Sequence, residues 1–159
     1  MVIVLITATL LFTVLYDSGR ASLTGSQCDA LANAGVNWSY CVKDQQLLRN
    51  VDLKGANLSY VSMREADLGD AQLADADLSY GRLSNANLSR ANLRSASLIG
   101  TSLNNAKLAD SDLAGADLSQ ANLSGADLRG SNLNDARLDG AVWINGQICA
   151  KRSHGFCRQ

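Results

Sequence analysis

Four cysteines, one histidine and fifteen carboxylates are the residues of this chain that could do chemistry. Cys28 and Cys41 lie near one end, Cys149 and Cys157 near the other, with His154 between the last two. An even number of cysteines suits disulfides, and four allow three pairings. The rival chemistry is a zinc site of four cysteines, or of three with His154. Zinc bonds are about 2.0–2.3 Å long, so all four ligands must converge. Cys149, His154 and Cys157 alone leave such a site incomplete, and their spacing is atypical. Catalysis has less to work with. The only histidine is terminal, the many serines have no paired base, and glycines such as Gly125 and Gly130 sit in no strand-to-helix context that would make a phosphate loop. No catalytic, cofactor-binding or metal-binding set is read.

What must position these residues is a stretch of period five. Every fifth position from 53 to 138 is leucine, with Met63 the one exception among eighteen. Two residues before each centre stands a small residue: alanine in twelve units, and Val51, Val61, Gly81, Thr101, Ser111 and Ser131 in the others. In a helix a step of five turns about 500°, which scatters the leucines about 140° apart. In a straight strand an odd step sends alternate leucines to opposite faces. The small residue and its leucine, two apart, share a face. The next small residue, three further on, does so only if the chain turns a corner once per unit. Four corners close a square of twenty residues.

Such squares stack about 4.8 Å apart, the spacing at which backbones pair. Ninety residues make four to five coils, a rod about 20 Å long by that spacing. No unit buries its own apolar face; stacked neighbours bury a shared core. Leu53, Leu58, Met63, Leu68, Leu98, Leu118 and Leu138 are expected inside, and Trp143 keeps their register.

The pattern Ala-(Asp/Asn)-Leu-x-x, as in residues 116–120 and 126–130, resembles the pentapeptide-repeat proteins. The resemblance implies an all-β fold, a right-handed quadrilateral β-helix. The ends resemble exported bacterial members of the same group: Val36-Asn37-Trp38-Ser39-Tyr40-Cys41 in front, and Trp143, Gly146, Cys149, Ser153, Gly155 and Cys157 in the tail. A rod between the two ends keeps their cysteines apart, which leaves Cys28–Cys41 and Cys149–Cys157. Each would hold a terminal cap.

Residues 2–16 form an apolar run broken only by threonines. As a helix of about 22 Å it falls short of the roughly 30 Å hydrocarbon core. It reads as the h-region of a signal peptide cleaved after Ala21, although no Lys or Arg precedes it. The alternative is a retained membrane anchor. The expected organisation is a signal peptide or anchor over 1–21, an N-terminal cap over 22–50, the solenoid over 51–142 and a disulfide cap over 143–159. Within the first cap, residues 29–34 are expected to form a short helical turn, Gln46–Leu48 a degraded repeat, and Trp38 an apolar plug.

Positions twenty apart share a wall. Tyr60 and Tyr80 are then neighbours in an exposed contact patch; Asp70, Arg90 and Asp110 alternate in sign, and Asp67, Asn87, Lys107 and Asp127 form another column. The formal charge is −1, so no basic surface for nucleic acid is read. The function expected is an exported, periplasmic or secreted, non-enzymatic scaffold for an unknown protein or cell-surface partner, touching a membrane only through an uncleaved N-terminal segment. The alternative is a DNA mimic acting on a type II topoisomerase, as some pentapeptide-repeat proteins do. Residues 51–142 carry twelve acidic and eight basic groups, a net of −4. A 20 Å length of duplex carries about −12, at one charge per 1.7 Å.

Overall fold

The computed structural model describes residues 27–159. The apolar run at 2–16 and the cleavage site after Ala21 lie outside them. Among the described residues no helix is long and apolar enough to cross a membrane.

Each pentad is a short extended piece followed by a corner. The amide of the small residue that opens a unit bonds to the preceding leucine carbonyl, as Ala56 N to Leu53 O at 3.1 Å. The residue just before it takes a positive φ, 57° at Tyr60, 62° at Asp70 and 63° at Gly100. One positive φ at the third place of a four-residue turn marks type II. The amides can be followed all the way round a unit. Leu58 N and Tyr60 N donate up to Asp77 O and Ser79 O, Asn57 N donates down to Val36 O, and Val61 N closes the corner on Leu58 O. The fifth, Ser59 N, is taken by the Asn57 side chain at 3.2 Å. The same bond recurs from Ser79 N to Asp77 and from Ser119 N to Asp117. That is why the repeat asks for Asp or Asn before its leucine: a short side-chain oxygen satisfies the one amide that the ladder leaves over.

Parallel bridges join residue i to i+20 without a slip, from Asn37 with Asn57 to Asn122 with Val142. The result is a square-sectioned parallel solenoid with four columns of leucine inside. Leu53, Leu58, Met63, Leu68, Leu98, Leu118 and Leu138 are fully buried. Each such side chain adds about 1.5–3 kcal/mol by leaving water. The small positions are fitted in the same way. Gly81 lies between Val61 and Thr101; a Cβ on it would stand 2.9 Å from Leu78 O and 3.0 Å from a Leu83 methyl. Thr101, itself buried, sends its hydroxyl to the same Leu78 carbonyl at 2.9 Å.

The rod begins earlier than the sequence pattern suggests. Asn37, Val42 and Leu47 already pair with Asn57, Ser62 and Asp67 of the next coil. Residues 36–50 therefore already belong to the first coil and not to a separate cap. Leu48 is inside, as its register requires, and Gln46 stays exposed. Lys43 occupies a leucine position. It is tolerated there because it is terminal: its ammonium lies 4.3 Å from the Trp38 ring centroid and bonds Cys28 O at 2.5 Å. Trp38 is 2% exposed and donates its indole N–H to Ala30 O, so it is a core residue of this coil that also anchors the cap. The cap proper, residues 27–35, contains turns closed by Ala30 N to Gln27 O and Val36 N to Asn33 O, and no helical turn.

At the other end the chain reverses and pairs antiparallel with the last coil, Val142 with Ile148 and Arg137 with His154. Covering an open sheet edge in this way removes a template for aggregation. Trp143 is only partly buried, packed on the end of the core with Leu128 and Leu133 and not within it. No further coil lies beyond it to close the column.

Two substitutions test this packing. Leu98→Asp sets an unpaired charge at the middle of the rod and is expected to cost several kcal/mol. Gly81→Ala meets a backbone carbonyl that cannot move aside and is expected to cost about 1–3 kcal/mol. Thermal melts of both variants, compared with Ala96→Gly, check the register; a Leu98→Asp protein melting within a few degrees of wild type would show the register to be wrong.

Candidate functional site

The cysteines pair as Cys28–Cys41, with Cα atoms 5.4 Å apart, and Cys149–Cys157, at 5.0 Å. They close loops of 13 and 8 residues in sequence separation. In the chain-entropy account each loop of this size stabilises by about 2–3 kcal/mol. The first ties the N-terminal segment to the rod, and the second closes the C-terminal segment on itself. Cys41 and Cys149 are buried against the core, and Cys41 stands in the small position of its unit. With all four sulfurs bonded, none remains to ligate a metal, and His154 lies exposed on the last edge.

The aromatic patch is a column of three. Tyr40 stacks on Tyr60 with ring centroids 4.9 Å apart and planes 3° from parallel, and Tyr60 on Tyr80 at 5.2 Å and 16°. Tyr40 is the member that sequence reading missed, because its coil was assigned to the cap; stepping back twenty from Tyr60 finds it. All three sit at the positive-φ corner, an uncommon place for a bulky residue. Stacking repays part of that strain, at about 0.5–1.5 kcal/mol per pair. The column stops at Gly100. A Cβ there would lie 2.8 Å from Cδ1 and Cε1 of Tyr80, so the ring is laid over glycine backbone. Ring faces are consequently closed along the ladder, except the outer face of Tyr40. What the surface offers is a row of phenol edges and hydroxyls, beside the exposed Val42. Such a strip suits contact with another protein better than stacking of a flat ligand.

Several of the charges elsewhere on the walls are spent on one another. Asp44 receives Arg64 Nε at 3.0 Å and Nη2 at 2.7 Å, together with the Ser62 hydroxyl at 2.6 Å. Burial opposes ionisation of this carboxyl, but the Arg64 and Ser62 bonds outweigh it and hold its pKa below the usual range. Asp70 is held low by Arg90, bonded at 2.7 and 2.8 Å, and also by Arg49 at 2.7 Å. The 70–90 step of the expected alternating column is thus an ion pair. Asp67 accepts from Asn87 at 2.8 Å, whereas Asp127 pairs within its own coil, with Arg129. That pairing lowers the Asp127 pKa to about 2. Asp112 is pulled below its ordinary value against a burial penalty, by Arg94, the Ala114 amide and Asn132. A shallow recess of about 300 Å³ lies among Asp44, Gln45, Arg64, Glu65 and Asn85. Its polar groups are already engaged, Asp44 with Arg64 and Gln45 with Glu65. Nothing in it sets a carboxyl free for acid–base work.

These carboxylates fix an acid response. Their folded pKa values lie below the unfolded ones, so their contribution is complete above the unfolded pKa and is lost as pH falls through the folded pKa. The melting temperature should hold from pH 7 to about 5 and fall between about 4 and 2. Asp70→Asn and Asp127→Asn should flatten that fall. The measurement is a series of melts at constant ionic strength, and an equal acid slope in wild type and both variants would exclude these pairs as its cause.

A family profile described as pentapeptide repeats matches the chain in eight copies, over residues 45–71, 71–110 and 106–142. Among solved structures the chain is similar to HetL, a pentapeptide repeat protein involved in heterocyst differentiation regulation in the cyanobacterium Nostoc. Identity there is 29% over 72% of this chain and 71% of that one, with a TM-score of 0.41. Rfr23 of the cyanobacterium Cyanothece is 36% identical over 58% of this chain and 64% of its own, with a TM-score of 0.36. QnrB1, a plasmid-mediated fluoroquinolone resistance protein, is 18% identical over 79% and 76%, at 0.43. No curated protein matches.

Proposed function

The chain belongs to the pentapeptide-repeat family and has its right-handed quadrilateral β-helix, and from that premise we propose that it is an exported, non-enzymatic scaffold for protein contact. One observation carries the reading: a disulfide clamps the terminal segment at each end of the rod. Disulfides of this structural kind form and persist in oxidising compartments and are rare in the cytosol of most cells. The apolar run at 2–16 supplies a route to such a compartment, with cleavage after Ala21. The contact strip is the Tyr40–Tyr60–Tyr80 ladder, and its partner is a protein or other cell-surface component in the periplasm or outside the cell. Exposed aromatics of this kind are enriched at interfaces.

Charge favours the scaffold over a mimic of DNA. Asp44, Asp70, Asp112, Asp117 and Asp127 each face an arginine within 3.1 Å. Binding to a DNA-recognising surface is largely electrostatic and salt-dependent, so a mimic needs a continuous acidic face. Here these acidic groups are neutralised locally, and eight basic residues are spread among the twelve acidic ones of residues 51–142.

Cell fractionation with N-terminal sequencing, and alkylation before reduction, tests the proposal. The expected outcome is a mature chain beginning near Ser22, outside the cytoplasm, with both disulfides closed. Protein lacking residues 1–21, oxidised, is expected to leave gyrase supercoiling unchanged at micromolar concentration. Cytoplasmic protein with four free thiols, together with salt-sensitive inhibition of supercoiling, would replace the scaffold reading by the mimic.

A further inference from the structure

The C-terminal cap differs from the rod in its electrostatics. On the rod, six arginines, Arg49, Arg64, Arg90, Arg94, Arg129 and Arg137, are ion-paired, and Lys54, Arg82 and Lys107, without an ion pair among the described residues, are spread along it among carboxylates. Residues 140–159 contain Lys151, Arg152 and Arg158 and no Asp or Glu. None of the three has an ion pair among the described residues. Asp139, the nearest carboxylate in sequence, is half-buried and accepts the Ser153 amide at 3.0 Å. The cap segment itself thus carries three unpaired cations on a molecule whose total charge is −1, with Asp135 and Asp139 of the last coil as the carboxylates beside it.

The same segment exposes large apolar side chains. Ile148 is 68% exposed, Phe156 58% and Ile144 41%. Their placement follows from the disulfide. Cys149 and Cys157 turn toward the core, so their chain neighbours Ile148 and Phe156 turn outward. Arg158 is also exposed, with its guanidinium 5.4 Å from the Phe156 ring centroid. Lys151 and Arg152 form the tip of the turn between the two half-cystines, where Arg152 has φ 65°. The tip is braced underneath by the buried Ser153, whose hydroxyl bonds Ala150 O at 2.7 Å and receives Arg158 N at 3.1 Å.

We propose that this cap is a docking surface for an anionic phospholipid bilayer, with Lys151, Arg152 and Arg158 at the headgroups and Ile148 and Phe156 entering the acyl boundary. Unpaired cations beside exposed apolar groups are the combination that binds membrane interfaces, where both terms act together. A soluble acidic polymer or acidic protein loop would satisfy the cations but leave Ile148 and Phe156 in water. The disulfide-closed loop holds the groups in place before contact, so little ordering is needed on binding. The site is at the opposite end of the rod from the tyrosine ladder and does not depend on the compartment proposed above. The two surfaces would allow a rod lying end-on to a membrane to present its tyrosines away from it.

The test uses the full oxidised chain and flotation with vesicles of phosphatidylcholine, alone or mixed with phosphatidylglycerol. The apolar segment at 2–16 contributes to both, so the ratio of the two partition coefficients isolates the cap. Each basic group near an anionic surface strengthens binding about fivefold. Lys151→Gln, Arg152→Gln and Arg158→Gln together should lower the ratio about a hundredfold at low salt, by that factor per group. The control triple Lys54→Gln, Arg82→Gln and Lys107→Gln, on the rod, should leave it unchanged. Phe156→Ser and Ile148→Ser should each weaken binding to the mixed vesicles severalfold. Melting curves confirm that all variants stay folded, and raising salt reads the same electrostatic term without any substitution. Equal partition into both vesicles, or a preference that survives the cap triple, overturns the proposal. So does indifference to both apolar substitutions with the charge effect intact, which would assign the cap to a soluble polyanion.

Discussion

Every coil is held to the next by one set of backbone hydrogen bonds, and the rest of the protein depends on that set staying in register. Four of the five amides in a unit find carbonyls, three of them on neighbouring coils and one across the corner. The fifth takes the Asp or Asn side chain in the units that carry one, as at Asn57, Asp77 and Asp117. A buried or half-buried amide without a partner costs as much as a lost hydrogen bond, so the accounting leaves no slack for an insertion. The leucine columns follow from it. Once residue i lies under i+20, each leucine has a leucine above and below, and every small residue sets how closely neighbouring walls approach. Gly81 shows how tight this is: a Cβ there would press on the Leu78 carbonyl and a Leu83 methyl.

A repeat held by its neighbours has its weakness at the ends, where one neighbour is missing. This chain treats its two ends differently. At the start, Lys43 replaces a leucine and lays its ammonium on Trp38, so that the last core position is capped by a group that also tolerates water. At the finish, the chain turns back and supplies an antiparallel edge with Ile148 and His154. Both solutions are pinned by a disulfide. The pinning matters because a short terminal segment buries too little apolar surface to hold itself down.

The outer surface is where the coils cease to be equivalent. The same ladder that stacks leucines inside stacks whatever stands outside at a twenty-residue interval. Three tyrosines become a column of closed rings; Asp70 and Arg90 become an ion pair; three cations on a loop that leaves the repeat remain unpaired. Exposed pairs of this type add little to stability, about 0–1 kcal/mol. Their consequence is a surface whose chemistry changes from one end of the rod to the other, with the scaffold supplied at constant geometry.

The sequence alone determined the interior. A period of five with a leucine and a small residue in each unit admits neither helix nor straight strand, and the twenty-residue coil, the buried Leu98 and the disulfide pairing all follow from it. The resemblance to pentapeptide-repeat proteins added the handedness. The outer columns were legible wherever the register was, so Tyr60 and Tyr80 could be placed. The beginning of the rod was not legible, because Lys43 and Gln46 break the pattern that reading relies on. Only the tertiary structure decides that a lysine can fill a leucine position, since its cost depends on whether a further coil lies beneath it. The same holds for Tyr40, which joins the ladder only once its coil exists. It holds too for Trp143, whose correct register does not bury it because the chain turns back along the edge there instead of laying another coil over it. Periodicity specifies contacts between units that are alike; at the ends, burial is set by what the neighbouring segment happens to be, and that is a property of the folded chain.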